Sequence, residues 1–176
     1  MKEKLVVIGN GMSGLRTIED LLELNKDKYE ITIYGEEPHV NYNRIMLSYI
    51  LSQEKTFEDT IINHQSWYEE NNITLNKGDK IISIDRENKT IKSESGKIES
   101  YDKLLIATGS NAFVPKTKGN ELENVIAFRT KADVDSIIGT IRKEKTAVVV
   151  GGGLLGLEAA YGIAMHGIKT ILVHRS

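Results

Sequence analysis

The sequence predicts an α/β fold that contains two Rossmann-like βαβ units. Near the start, the stretch LVVIGNGMSGLRTIEDLL joins a β-branched apolar run to G-x-G-x-x-G and a helical pattern. Near the end, TAVVVGGGLLGLEAAYG repeats this order. An apolar run follows each helical pattern, ITIY in the first case and KTILV in the second. Strand, glycine turn, helix and strand within about thirty residues are the context in which this fingerprint binds a dinucleotide.

In the first unit, residues 5–8 form a short β-branched run that is typical of a buried parallel strand. The glycine turn covers residues 9–14, and apolar side chains at helical spacing then continue to about Asn25. A second strand is predicted over residues 31–34, and the sequence Gly-Glu-Glu-Pro at 35–38 ends it. These elements make one complete βαβ unit.

The middle of the chain predicts small elements and a linker. Residues 39–72 have the composition of a loop followed by short helices, around IMLSYIL and HQSWYEENN. Between residues 73 and 107 the runs ITL, IISI, TIKS and KLLIA predict short strands separated by turns. Residues 111–124 have the composition of a linker.

The last part of the chain repeats the opening plan. A helix is predicted over residues 132–142, then a strand over 147–150 and the second glycine turn. A helix over residues 154–166 and the strand KTILV follow. We therefore expect two domains, one over residues 1–115 and the start of another over 116–176.

Composition excludes several classes of function. The chain has 176 residues, a net charge of −2 and 40% hydrophobic residues, so it can form a core and carries no basic stripe for nucleic acid. No apolar run approaches 18 residues and the N-terminus does not resemble a signal peptide, which predicts a soluble cytoplasmic protein without membrane contact. There are no cysteines and only four histidines, so disulfides, thiolate chemistry and metal sites are not expected in this chain.

The glycines of each turn have separate predicted roles. The first permits a tight bend, the second lets backbone N–H groups approach a pyrophosphate, and the third lets the helix pack closely on the strand. The anion then lies at a helix N-terminus, where unpaired N–H groups and the positive end of the dipole favour it. The six glycines are Gly9, Gly11, Gly14, Gly151, Gly153 and Gly156.

The residues at the end of the second strand of each unit predict the ribose that is bound. Glu36 and Glu37 lie 22 and 23 residues after the third glycine of the first turn, where an acid binds a free 2′-hydroxyl of FAD or NAD. Either glutamate could serve. The second unit has His174 and Arg175 at this place and no acid. A cation there suits a 2′-phosphate and favours NADPH, unless Arg175 is an ordinary solvated residue.

Two dinucleotide sites in one chain are explained if one cofactor reduces the other. Reduced nicotinamide needs an acceptor ring, and a flavin is the usual one. We therefore predict a two-dinucleotide flavoprotein in which the first turn binds FAD and the second binds NAD(P)H. Residues 1–115 are then a segment of the FAD domain, and residues 116–176 begin an NAD(P)H domain that is incomplete here.

Several motifs also carry a family resemblance over nearly the whole chain. They are VVIGNGMSGL, ITIYGEEPHVNYNRIMLS, FEDTIINHQSWYEENNITL, YDKLLIATGS, FRTKADVD and VVVGGGLLGLEAA. The chain resembles the two-dinucleotide flavoprotein reductases, and among these the N-terminal flavin region of the assimilatory NAD(P)H-dependent nitrite reductase large subunit. YNRIMLS and WYEENNITL are the more specific pieces.

The resemblance assigns roles to individual residues. It implies that Glu36 holds the FAD ribose and that Arg44 and Ser48 approach the diphosphate and the isoalloxazine. It also implies that Glu158, the candidate catalytic residue, lies near the contact of flavin and nicotinamide. A solvated loop arginine and a glutamate favoured by the helix dipole are the alternatives for Arg44 and Glu158. The other implied cofactor contacts adjoin the two turns and ATGS: Met12, Ser13, Ala107, Thr108, Gly109, Leu154 and Leu155.

Two departures from related families bear on the electron acceptor. Tyr49 stands where ferredoxin reductases often carry a lysine, and no C-x4-C pair occurs near residues 41–50. Electrons then leave the flavin for an iron–sulfur or siroheme domain, a rubredoxin- or ferredoxin-like protein, or oxygen. A stand-alone rubredoxin or ferredoxin reductase, an NADH oxidase and a non-enzymatic dinucleotide sensor are the alternatives. The family also implies that this sequence is an N-terminal portion.

Overall fold

The structure is a computed structural model, and it describes residues 2–142 and 145–175. No helix in these two ranges is long and apolar enough to cross a bilayer. The strands and α-helices, in chain order, are β1 (Glu3–Ile8), α1 (Met12–Asn25), β2 (Tyr29–Gly35), α2 (Leu47–Leu51), α3 (Gln65–Glu70), β3 (Thr74–Lys77), β4 (Ile81–Asp85), β5 (Thr90–Ser93), β6 (Ile98–Ser100), β7 (Lys103–Ile106), α4 (Lys131–Thr140), β8 (Thr146–Val150), α5 (Leu154–Ala164) and β9 (Lys169–Val173).

The chain forms two compact units, and each is discontinuous in sequence. The first unit comprises Met1–Tyr42 and Ile61–Ser110, and the second comprises Asn43–Thr60 and Asn111–Ser176. The segment 43–60 therefore interrupts the first unit and belongs to the second. The boundary between domains at residue 115 stays a prediction.

A parallel sheet with the strand order β3-β2-β1-β7 forms the centre of the first unit. In β1, Val7 pairs with Ile33 of β2 on one side and with Leu105 of β7 on the other. The last four residues of β1, from Leu5 to Ile8, are all buried, which is the continuous burial expected of a central parallel strand. Because the strands are parallel, β1, β2 and β7 all end at the edge of the sheet that carries the first glycine turn.

The core of the first unit lies between this sheet and the helices that cover it. Leu15 and Ile18 of α1 have no exposed surface, because their helical spacing places both on the face that contacts the sheet. Tyr68 of α3 is also fully buried. The buried members of this cluster are Leu5, Val7, Leu15, Ile18, Ile31, Ile33, Tyr68 and Ile73.

A second, antiparallel sheet of order β4-β5-β6 completes the first unit. It packs against the other face of β1 and β2 through Ile91, which clusters with Val6, Ile8 and Tyr34. Strand β6 was not predicted from the sequence. It carries Glu99, whose carboxylate accepts hydrogen bonds from the Tyr34 hydroxyl (2.6 Å) and the Thr32 hydroxyl (3.0 Å).

The second unit repeats the start of the same plan. Strands β8 and β9 pair in parallel, and the helix α5 connects them. The helix predicted over residues 154–166 ends at Ala164, and Gly167 follows with a φ of +75°. The helix predicted over 132–142 begins one residue earlier and ends at Thr140, because Ile141 is already extended.

Segment 43–60 packs on α5 within the second unit. Leu51 of α2 lies so close to Gly162 that a Cβ there would come within 2.9 Å of the leucine Cγ. His166 Nε2 lies 2.6 Å from the carbonyl oxygen of Leu51, and because a carbonyl only accepts, this nitrogen carries the proton. Gln53 Nε2 lies 3.4 Å from Nδ1 of the same ring and donates to it.

Candidate dinucleotide-binding sites

The first glycine turn is held between the ends of β2 and β7. Gly9 has a φ of +114°, and its N–H donates to the carbonyl of Tyr34 at 2.8 Å. A Cβ at Gly9 would overlap the carbonyl oxygen of Ala107. The N–H of Ala107 in turn donates to the Ile8 carbonyl at 2.8 Å. Only glycine fits this position, for reasons of both conformation and space.

The N-terminus of α1 is open in the way that an anion site requires. Gly11 is the N-cap residue, no side chain caps the helix, and its first turn has no acidic residue. The space where a Cβ of Gly11 would lie is empty to 4 Å, and Met12 and Ser13 are exposed. A Cβ on Gly14, in contrast, would lie 3.1 Å from both the Ala107 Cβ and the Gly9 carbonyl oxygen. The residues of this turn fit a pyrophosphate.

The two glutamates after β2 have different partners. Glu36 forms an exposed ion pair with Lys80, at 2.6 Å, and its own side chain is 63% exposed. That hydrogen bond and the charge of Glu36 raise the pKa of Lys80. Glu37 accepts a hydrogen bond from the Tyr42 hydroxyl at 2.8 Å. An exposed pair such as Glu36–Lys80 contributes little to stability, so the carboxylate of Glu36 can exchange its partner for a ribose at small cost.

The segment after β7 adjoins the first turn. Ala107 packs beside Gly9 and Gly14, as described above, and Gly109 has a φ of +71°. Thr108 lines an apolar groove of the first unit together with Ile8, Ile106 and the strand β4. The structure thus brings the predicted residues Ala107 and Thr108 to the end of the sheet that carries the first turn.

The second glycine turn repeats the geometry of the first. Gly151 has a φ of +118°, and its N–H donates to the carbonyl of Val173 at the end of β9, at 2.8 Å. A Cβ on Gly156 would overlap the Gly151 carbonyl oxygen. Gly153 is the N-cap of α5, with no side-chain cap and no atom within 4 Å of its Cβ position. Leu154 is 82% exposed beside this open helix end.

His174 contacts the second turn directly. The backbone N–H of Gly152 donates to Nδ1 of His174 at 3.1 Å. A Cβ on Gly152 would lie 2.6 Å from the Cγ of this ring, so a larger residue at this position would require the exposed histidine to move. Arg175, the next residue, is exposed and places a permanent positive charge at this strand end.

Four of the predicted residues lie together in one cleft of the second unit. The cleft is lined by these four, Arg44, Ser48, Leu155 and Glu158, and also by Ile45, Leu47, Phe128 and Arg129. An Nη1 of Arg44 donates to the Arg129 carbonyl at 3.0 Å, just before the N-cap of α4. A capping box at this N-terminus fixes that carbonyl, because Asp133 accepts from the N–H groups of Arg129 and Thr130.

One group of residues at the first turn was not found from the sequence. Asn10, between the first two glycines, has both ends of its amide hydrogen-bonded, to the carbonyl of His39 and to the hydroxyl of Tyr68. Tyr68 lies in the motif WYEENNITL, to which the family resemblance assigns no role at the turn. An asparagine inside a glycine turn was the one signal present, and its partners are 29 and 58 residues away.

Two strand–turn–helix elements with open helix N-termini define a protein of the class with two Rossmann-like dinucleotide-binding domains. Comparison with known families agrees: residues 3–176 match the family described as pyridine nucleotide-disulphide oxidoreductase, and the chain belongs to it. A solved structure of NADH:rubredoxin oxidoreductase from Clostridium acetobutylicum superposes with a TM-score of 0.86 at 29% identity, covering 98% of this chain and 44% of that one. The predicted α/β, Rossmann-like fold class is confirmed.

Among curated proteins, nitrite reductase [NAD(P)H] of Bacillus subtilis is 44% identical over 173 residues. The match covers 98% of this chain and 22% of the relative. The assimilatory nitrate reductase electron transfer subunit of the same organism is 41% identical, over 99% of this chain and 23% of its own length. The chain therefore spans less than a quarter of these relatives. The predicted resemblance to the nitrite reductase family is confirmed.

Proposed function

We propose that this chain is the electron-entry part of an NAD(P)H:acceptor oxidoreductase in which FAD accepts hydride. The observation that carries the proposal is the pair of open helix N-termini at Gly11 and Gly153, each preceded by a glycine with a positive φ, Gly9 at +114° and Gly151 at +118°. When bound, FAD supplies a ring that takes a hydride from reduced nicotinamide and releases electrons singly or in pairs.

The residues of the first turn, from Gly9 to Gly14, would bind the FAD pyrophosphate through backbone N–H groups and the helix dipole. Glu36 is our choice for the ribose, because Glu37 is held by Tyr42. The second turn would bind the pyrophosphate of NAD(P)H in the same way. Ser48 would approach the isoalloxazine and Glu158 would lie near the contact of flavin and nicotinamide. Both line the cleft of the second unit, where Arg44 contributes a permanent cation.

For the acceptor, we propose an iron–sulfur or siroheme centre, as in a nitrite reductase. The two Bacillus relatives support this choice by their identities of 44% and 41%. The absence of cysteine from the sequence removes a thiol relay within these 176 residues. A rubredoxin or ferredoxin reductase is the second candidate, favoured by the structural match to NADH:rubredoxin oxidoreductase.

Spectroscopy of the full-length protein tests the proposal. It should show flavin absorbance that bleaches when NADH or NADPH is added without oxygen, and it should reduce ferricyanide in steady state. Tight nucleotide binding without turnover would instead indicate a dinucleotide sensor. A colourless protein that FAD does not reconstitute would refute the proposal.

A further inference from the structure

From the buried polar contacts of the first unit, we infer that Tyr68 is a positioning residue for the first glycine turn, acting through the side chain of Asn10. The inference rests on the proposed function, in which this turn binds FAD. Tyr68 itself would not touch the cofactor. Its hydroxyl would keep Asn10, and with it the backbone of the turn, in the conformation that presents N–H groups to the pyrophosphate.

The hydroxyl of Tyr68 has two partners at the turn. It donates to Oδ1 of Asn10 at 2.9 Å and accepts from the backbone N–H of Asn41 at 3.2 Å. Tyr68 is 0% exposed, and burial raises its pKa, so the hydroxyl keeps its proton and remains a donor at neutral pH. A buried hydroxyl needs such partners, because leaving it or them unpaired is costly.

Asn10 is fixed at both ends of its amide. Its Nδ2 donates to the carbonyl of His39 at 3.2 Å, and since a carbonyl cannot donate, this contact also settles which end of the amide faces Tyr68. A Cβ on Gly35 would lie 3.0 Å from the Cβ of Asn10, so the asparagine packs on the end of β2. It stands between Gly9 and Gly11, the two residues that shape the turn. Holding Asn10 therefore constrains the peptides on both sides of it.

The same network also reaches the helix that follows the turn. Nδ2 of Asn41 donates to Asn63 at 2.8 Å, and Nδ2 of Asn63 donates to Glu19 of α1 at 3.0 Å. Asn41 is 2% exposed, and its Oδ1 is the one buried side-chain polar atom without a partner among the described residues. The network thus connects the turn, the loop after β2 and the body of α1 through side chains that are buried at its centre, at Tyr68, Asn41 and Asn63, and partly buried at its ends.

The variant Tyr68→Phe keeps the ring and removes only the hydroxyl. Tyr34→Phe is the matched control, because Tyr34 is also buried in the first unit, at 3% exposed, and its hydroxyl also donates to a side-chain oxygen. That oxygen belongs to Glu99, on the other face of the sheet from Tyr68. Both variants lose the hydrogen bond of a buried hydroxyl. Only Tyr68→Phe loses a contact to the turn, because Tyr34 contacts Gly9 through its backbone carbonyl, which the substitution keeps.

The experiment is an FAD titration of the full-length apoprotein, followed by flavin fluorescence, at a temperature where all variants are folded. We expect Tyr68→Phe to raise the Kd for FAD about tenfold, equivalent to about 1.4 kcal/mol, and Tyr34→Phe to leave it unchanged. Amide hydrogen exchange of residues 9–14 in the apoprotein should also become faster in Tyr68→Phe alone. A merely structural role for Tyr68 would lower the melting temperature of both variants without moving either readout.

Asn10→Ala tests the same contact from its other end. Asn10 is only partly buried, so we expect this variant to fold. It should raise the Kd for FAD as much as Tyr68→Phe does, and the double variant should be no weaker than either single one. Equal affinity of the parent, Tyr68→Phe and Asn10→Ala would overturn the inference and leave the proposed function intact. A parent protein that binds no FAD would overturn both.

Discussion

Replacing Gly9 by alanine should lower the stability of the first unit more than an alanine at any other glycine of the turn. The φ of +114° is unfavourable for a residue with a side chain, at a cost of about 1–3 kcal/mol. The new Cβ would also overlap the carbonyl oxygen of Ala107, and moving backbone to relieve such a contact costs about 1–3 kcal/mol more. Together, about 2–6 kcal/mol is comparable with the whole stability of a small domain, about 5–15 kcal/mol.

Gly11→Ala is the matched control, two residues further along the same turn. Its φ of −92° suits any residue, and no atom lies within 4 Å of the Cβ position. Alanine lowers the conformational entropy of the unfolded chain, which stabilises the protein by about 0.4–1 kcal/mol. Alanine is also a poorer N-cap than glycine by a similar amount, so the two effects nearly cancel and the free energy of unfolding should change by less than about 1 kcal/mol. The methyl group nevertheless fills the space proposed for the pyrophosphate, so the Kd for FAD should rise at least about tenfold.

Urea denaturation followed by circular dichroism, together with FAD titration, separates the two effects. We expect a strongly lowered midpoint for Gly9→Ala, and for Gly11→Ala a midpoint near that of the parent with weakened FAD binding. Equal midpoints in all three proteins would refute the reasoning from backbone conformation and contact. Parental FAD affinity in a folded Gly11→Ala protein would refute the assignment of the open helix end to the cofactor.

Three further predictions concern other parts of the chain. Tyr34→Phe should cost about 1.5–3 kcal/mol at neutral pH because its bond to Glu99 is lost. Burial, and then the hydrogen bond to Glu99, raise the pKa of Tyr34 above its unfolded value of about 10. The contribution of this hydroxyl to the free energy of unfolding is therefore complete below that unfolded pKa and is lost as the pH rises further. Above that pH, the urea midpoint of the variant should fall less than that of the parent. Thr130→Ala should lower stability by about 1 kcal/mol through loss of the α4 cap, with Thr140→Ala at the exposed end of that helix as the control. Arg175→Ala should lower kcat/KM for NADPH about tenfold relative to NADH, and an unchanged ratio would contradict a role in 2′-phosphate binding.

The parts of the fold that could be predicted are those specified by neighbouring residues. Strand β1 contains an unbroken apolar run from Leu5 to Ile8, and α1 has an apolar stripe at helical spacing, so both were found within a few residues of their observed ends. Strand β6 was missed because its single apolar residue, Ile98, is 70% exposed. This strand exists through pairing with β5 and through Glu99, and neither leaves a periodic pattern in three residues.

In the candidate sites, too, features specified by neighbouring residues were predicted and contacts between distant residues were not. The glycine turns were predicted because the residues that shape each turn lie within six consecutive positions of the sequence. The contact of Tyr68 with Asn10 joins residues 58 apart, and that of Arg44 with Arg129 joins residues 85 apart. His174 was predicted only as a residue at the strand end, and the structure adds that its Nδ1 accepts from the N–H of Gly152. That contact depends on how the strand end approaches the turn, which residue types alone do not specify.

The membership of segment 43–60 in the second unit has a consequence for synthesis of the protein on the ribosome. Leu47, Ile50 and Leu51 are buried in the finished structure, and Leu51 packs on Gly162. That partner is translated about 110 residues later, which at typical rates of about 5–20 residues per second is a delay of roughly 5–20 s. During this interval the apolar helix α2 interrupts the first unit, whose residues 61–110 are themselves still being added in the first half of the interval, while the partner of α2 has not been translated. The nascent chain is therefore open to chaperone binding and to aggregation at this helix, and conditions that slow translation between residues 60 and 162 should lower the yield of folded protein.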